Sequence, residues 1–184
     1  MWSWVFFTWE ETADAFEKAF SEIQGLSVDE SEISDLNRVS YGHPYLMQLL
    51  GYHLILQVNE HKPEKSHKVT ESETDEAIAN SIFAYEQRSL KPLVDELSNN
   101  VKEYLTKMAE CLGEDRLAET ACIARCFGTS QNKLSKTRAY LIDNGIIAAP
   151  EYGKVMFCIP YLADYVKKDE HVSDPVEVAR QRRV

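Results

Sequence analysis

Apolar residues along this chain recur mostly at intervals of three and four, the period of a helix that buries one face. Trp9, Ala13, Phe16, Phe20 and Ile23 make the first such stripe. Thr8 and Glu11 stand at its head as the two halves of a capping box, in which each side chain satisfies the other residue's free helix N–H, and Gly25 supplies a stop. Ser27-Val28-Asp29-Glu30 repeats the capping pattern ahead of a second stripe, Ile33, Leu36 and Val39. The chain then turns through Gly42-His43-Pro44-Tyr45. Gly42 suits the positive φ that ends one helix, and Pro44 suits the first position of the next. That next helix is apolar over a wide arc (Leu46, Met47, Leu49, Leu50, Leu54, Ile55, Val58), the signature of a helix in the middle of a bundle. A polar loop, Lys62–Val69, leads to a third capping box at Thr70-Glu71-Ser72-Glu73 and a long helix whose inner face is Ala77, Ile78, Ile82 and Phe83. Pro92 is expected to break that helix and mark a domain boundary. The pattern predicts a bundle of about four helices, with Trp4–Phe7 its one candidate strand.

The pattern changes in the second half. Ser98 is placed to cap a helix carrying Val101, Tyr104, Leu105, Met108 and Leu112. A shorter helix, Ala118–Phe127, should end at Gly128, and a third should start at Thr129-Ser130-Gln131-Asn132, carry Leu134, Tyr140, Leu141 and Ile142, and end at Asn144-Gly145. Two β-type runs follow, Ile146–Ala149 and Val155–Ile159, joined by the turn-rich Pro150-Glu151-Tyr152-Gly153-Lys154. Tyr161–Val166 reads as helix. Three helices and then a β-hairpin make the winged form of the helix-turn-helix. The fold class expected is therefore mainly α, a helical bundle followed by a winged helix-turn-helix with a small β-hairpin.

Charge sharpens the division. Residues 1–97 carry 7 basic and 18 acidic side chains, whereas residues 98–170 carry 10 of each. The net charge of −10 over 184 residues makes the whole chain a poor general binder of phosphate backbones. With 44% hydrophobic residues a buried core is expected. No apolar run reaches the length of a membrane span, so no membrane partner is expected. The start, MWSWVFFTWEE, lacks the basic leader and cleavage site of a signal peptide. The four cysteines, at 111, 122, 126 and 158, form no Cys-x-x-Cys pair, so neither a zinc ribbon nor a disulfide framework is indicated, and a reduced, cytoplasmic setting is expected.

The stretches GHPYLMQLLGYHL, VTESETDEAIANSIF, NVKEYLTKMAE, IARCFGTSQNKLSKTRAYLIDNGII and GKVMFCIPYLADYV, over most of residues 35–166, give an order of parts that resembles the C-terminal half of an AAA-type ATPase of the origin-recognition and STAND-related branch. The resemblance implies a helical lid domain over residues 1–95, a winged-helix domain over 96–170 and a polar tail over 171–184. It implies that Gly42, His43, Pro44 and Tyr45 lie near a bound nucleotide when an ATPase core is present, and that ATP and Mg²⁺ serve the full-length protein. Many relatives place a phosphate-sensing arginine near this corner. Here Tyr45 stands in its place and the nearest arginine is Arg38. No Gly-x-x-x-x-Gly-Lys-Ser/Thr loop occurs in these residues to wrap a triphosphate, nor an apolar strand ending in paired acids to hold Mg²⁺. The expectation is a C-terminal portion that is not an enzyme alone, holds no cofactor itself, and works with an N-terminal ATPase core, the full-length parent being an ATPase.

One face is a candidate for contact with double-stranded DNA. Ser130, Gln131, Asn132, Lys133, Ser135, Lys136 and Arg138 form a locally basic, polar stretch with no acid until Asp143. Lysine and arginine there can meet phosphates, glutamine and asparagine can read adenine edges, and Lys154, expected at the wing tip, can reach a neighbouring groove or backbone. Winged helices also serve as protein-docking or self-association modules, and the same helix fits that use. Cys122 and Cys126, four apart on a helix, have the spacing of a metal pair, but no nearby histidine completes a site and both are expected in the core. His43, His53, His61 and His67 are spaced 10, 8 and 6 apart, which matches no ligand pattern. No nucleophile elbow or acid–base pair is present, and no metal is expected.

Overall fold

A computed structural model describes residues 6–60 and 66–168. They divide into two compact units, residues 6–88 and residues 89–168. The polar tail and part of the expected first strand lie outside the described residues.

The first unit is a helical bundle. α1 (Trp9–Ser21) starts at the capping box: the Thr8 Oγ1 accepts from the Glu11 N–H at 3.2 Å, and the Glu11 carboxylate accepts from the Thr8 N–H at 2.8 Å. Phe16 and Phe20 point inward and stack at 5.9 Å, while Trp9 and Ile23, at the two ends of the expected stripe, are exposed. α2 (Glu30–Ser40) does not start at the expected box. Ser27 belongs to a short strand, β1 (Leu26–Ser27), which runs parallel to β2 (His67–Lys68). Asp29 is the cap residue, but its carboxylate pairs with Lys68 at 2.6 Å rather than with the helix. β2 also replaces part of the expected polar loop, and Val69 beside it is buried.

α3 (Pro44–Glu60) is the central rod: Leu46, Leu50 and Leu54 are inaccessible to solvent, each contributing about 1.5–3 kcal/mol by burial. It packs along α4 (Glu71–Tyr85), and α2 packs on both. The Thr70 box forms as expected, with the buried Glu73 carboxylate also taking the His67 Nε2 at 2.8 Å, so that β2 is tied to the start of α4. Phe83, assigned to the inner face by its period, is 53% exposed. Pro92 does not end α4. The α-helical ladder ends at Tyr85 and widens into a π-helical turn, Glu86–Leu90, before α5 (Lys91–Asp95) resumes with Pro92 in its first turn. Proline lacks an N–H and crowds the carbonyl four residues back, here Arg88, and a π turn is where a helix absorbs such a mismatch.

The second unit has the winged-helix arrangement. α6 (Asn99–Glu110) buries Tyr104, Leu105 and Met108 and packs against α9 (Leu162–Lys167) as well as α7 (Thr120–Cys126) and α8 (Ser135–Asp143). Ala118 and Glu119, expected in helix, instead form β3, and α7 (Thr120–Cys126) starts after them. Gly128, at φ 59°, turns the chain. Residues 131–134 are turns, and α8 spans Ser135–Asp143, so the third helix starts later than its sequence suggests. The hairpin strands are β4 (Ile147–Ala148) and β5 (Lys154–Phe157), and the sheet order is β3-β5-β4, all antiparallel. Ala118 pairs with Val155, and Ile147 with Phe157. No helix among the described residues is long and apolar enough to cross a membrane.

Candidate functional site

The corner between α2 and α3 is built by close backbone approach. Tyr41 and Gly42 both take positive φ, 53° and 65°. The Gly42 carbonyl accepts from the Phe7 N–H at 2.9 Å, and a Cβ on Gly42 would lie 2.2 Å from the Phe7 carbonyl oxygen, so no side chain fits there. Phe7 and Phe6 are therefore in irregular chain held against the corner, not in the strand expected for them. The Ser40 hydroxyl closes the turn, donating to Asn37 O and accepting from the Gly42 N–H. His43 caps α3, its Nδ1 lying 3.4 Å from the Leu46 N–H. This half-buried imidazole contacts the rings of Phe6 and Tyr85, and Tyr45 also meets Tyr85. Burial lowers the His43 pKa, and burial pushes the Tyr85 hydroxyl up to about 12. The corner is thus a cluster of aromatic and imidazole rings, and Arg38 is paired with Asp35 on its own helix.

In the winged unit the basic stretch is brought together but divided in role. Ser130, Asn132, Lys133 and Lys136 are exposed, and neither lysine makes an ion pair among the described residues. Gln131, Asn132 and Lys133 sit on the turns before α8 rather than on the helix. The Gln131 amide oxygen lies 3.0 Å from the Thr120 hydroxyl, which also lies 3.0 Å from Gly153 O, so Gln131 fastens the turn to α7. The Ser135 hydroxyl donates to Asn132 O at 2.7 Å, tying the start of α8 to the preceding turn. Arg138 is half-buried, close enough to Tyr104 to offset part of the rise that burial gives its hydroxyl pKa. Lys154 is the first residue of β5 and not the tip of the wing. It pairs with Glu151 at 3.3 Å and Asp115 at 3.5 Å, and its pKa is raised, chiefly by the Glu151 hydrogen bond. The tip is Tyr152, fully exposed.

The cysteines depart from expectation. Cys111, the C-cap of α6, is bonded to Cys122 on α7, their Cα atoms 6.0 Å apart, so the winged unit does contain a disulfide. Cys126 is exposed rather than in the core, with its Sγ 3.7 Å from that of Cys111. A separation of eleven residues carries no motif, and only the packing of α6 on α7 brings the pair together.

Residues 87–166 match a protein family described as a domain of unknown function (DUF8462). No curated protein matches the chain. Among solved structures, three mutants of RuvB from Thermotoga maritima are similar, at 16, 18 and 16% identity and TM-scores of 0.37, 0.35 and 0.34. Each match covers 85% of this chain and 48% of the RuvB chain, so the chain spans about half the length of the solved structures it matches.

Proposed function

We propose that this chain is the lid and winged-helix portion of an AAA-type ATPase and that its winged unit contacts duplex DNA through the start of α8. In this reading Gly42, His43, Pro44 and Tyr45 face the nucleotide when the ATPase core is present. ATP and Mg²⁺ are then held by that core, in a cytoplasmic protein. The observation that carries the DNA contact is the exposed, unpaired Lys133 and Lys136 flanking a helix–turn–helix junction, with Asn132 and Ser130 beside them. Phosphates would be met by Lys133, Lys136 and the half-buried Arg138. Lys154, neutralised by two acids, adds little.

Three cations imply a slope of roughly −3 in log K against log salt, at about −0.9 per phosphate. Band shifts of duplex DNA at several salt concentrations measure it, and changing Lys133 and Lys136 to alanine should flatten the slope by about 2. A wild-type chain that fails to shift duplex DNA at low salt overturns this reading.

Docking of a protein partner, or of a second copy, is the other use of the same helix. It is favoured by the exposed apolar side chains Tyr140 and Ile142 on α8 and Tyr152 on the wing. Sedimentation of the chain over a range of concentrations separates self-association from DNA binding.

A further inference from the structure

The sequence presents Cys122 and Cys126 as a pair without a third ligand, and the fold supplies one. Cys111 at the end of α6 joins the two cysteines of α7, and the three sulfurs all lie within 4.8 Å of one another. In a zinc–thiolate centre the metal–sulfur bond is about 2.3 Å, which places sulfurs about 3.8 Å apart across a tetrahedral edge. The Cys111–Cys126 separation of 3.7 Å already has that value. Cysteines 122 and 126, one helical turn apart, point to the same side of α7, and the 6.0 Å between the Cys111 and Cys122 Cα atoms leaves their sulfurs free to part to that distance by side-chain rotation once unbonded.

We propose that Cys111, Cys122 and Cys126 form a soft-metal site that holds one Zn²⁺-class cation through three thiolates when the Cys111–Cys122 bond is reduced. The reduction consumes a dithiol: its two sulfurs join to each other, its two protons pass to Cys111 and Cys122, and the protein disulfide breaks to two thiols. The cation then displaces three protons, one from each thiol, and three thiolates around a divalent cation carry a net charge of −1. Beside the cluster lies a cleft of about 240 Å³ lined by Cys111, Cys122, Asp115, Glu119, Arg125 and Lys154. Arg125, exposed beside the cleft, offsets the negative centre, and the cleft gives a water access to the fourth position. Asp115 is occupied: its carboxylate accepts from the Leu117 N–H at 3.1 Å and pairs with Lys154, and its pKa is lowered mainly by that N–H. The disulfide and the metal are alternative occupants of the same sulfurs, so the end of α6 is clamped to α7 in either state.

The test uses the full chain, reduced with a phosphine and freed of it without air, then titrated with Co²⁺. A thiolate-to-cobalt charge-transfer band in the near ultraviolet should saturate at one equivalent and be abolished by one equivalent of Zn²⁺. Zinc should lower the number of thiols open to a thiol reagent by three, and the unreduced chain should give no band. Cys126→Ser should weaken Co²⁺ binding by more than about 100-fold, beyond the 10–100-fold typical of losing a group that only supports a ligand. Cys158→Ser, outside the cluster, should leave it unchanged. No band in the reduced wild type, protection of fewer than three thiols, or unchanged affinity in Cys126→Ser overturns the proposal. The first two readouts need no variant and so do not depend on any substitution folding.

Discussion

The two units use opposite means to hold their shape. The bundle, residues 6–88, is acidic and relies on long helices, two complete capping boxes and one glycine corner. The winged unit, residues 89–168, is charge-balanced in sequence; apart from the 12-residue α6 its helices are short, none carries a side-chain cap bond, and a small three-stranded sheet, a disulfide and local side-chain ties stand in their place. A helix of seven or nine residues is marginal alone, so in the winged unit tertiary links must supply what caps and length supply in the bundle. The same links decide which of its polar residues are free for a partner. Gln131 and Lys154 are spent on holding turn and wing, and Lys133 and Lys136 are not.

This contrast can be broken by perturbing each unit separately. Leu54→Ala in α3 and Leu141→Ala in α8 each remove a side chain with no solvent exposure, and each should cost about 2–5 kcal/mol. In urea unfolding followed by tryptophan fluorescence and circular dichroism, the two changes should shift different parts of the transition. Identical shifts of a single transition would show that the units share one cooperative core. Next in size, Gly42→Ala should destabilise the bundle by about 2–3 kcal/mol, from the strain of positive φ together with the clash on Phe7. An unfolding midpoint equal to wild type would mean the corner relaxes at no cost. Thr70→Ala should cost about 1 kcal/mol through loss of the cap.

The smallest effect is electrostatic. The folded His43 pKa is lowered by burial, so its neutral form is the one the fold favours, and Nδ1 must be unprotonated to accept from Leu46. Its contribution is fully present above the unfolded pKa of about 6.5 and is lost as pH falls through the lower folded value. His53 is shifted the same way, by burial and then by Arg88. Stability measured from about pH 7.5 down to pH 5.5 should therefore fall, and His43→Asn, which keeps an acceptor but does not titrate, should fall less. Equal slopes would remove His43 from the account.

What the sequence showed and hid follows the range of the interactions. The capping boxes at Thr8 and Thr70 were legible because both partners lie within four residues, and the Gly42–Pro44 corner because glycine and proline restrict their own backbones. Ser27 looked like a third cap because nothing local reveals that it pairs in a strand with His67 and Lys68, forty residues on. Ala118 and Glu119 read as helix for the same reason, their partners being Val155 and Lys154. Trp9 and Phe83 fit the helical period yet are exposed, since period alone cannot say where a stripe runs off the edge of a core. In the candidate site, residue type correctly picked out Lys133 and Lys136 as exposed cations. That Lys154 is neutralised, and that a third cysteine meets the pair on α7, depended on distant contacts and could be seen only in the fold.

The proposed DNA contact belongs to the start of α8 and not to the charge of the chain as a whole. Two double charge reversals with the same change in net charge test it most directly: Lys133→Glu with Lys136→Glu in the winged unit, and Lys18→Glu with Lys68→Glu in the bundle. Binding of a labelled duplex is followed by fluorescence anisotropy at several salt concentrations. The winged-unit reversal should abolish binding at low salt, while the bundle reversal should change affinity by no more than about 2-fold and leave the salt slope at roughly −3. Equal weakening by both reversals, or no binding by the wild-type chain at low salt, would contradict it.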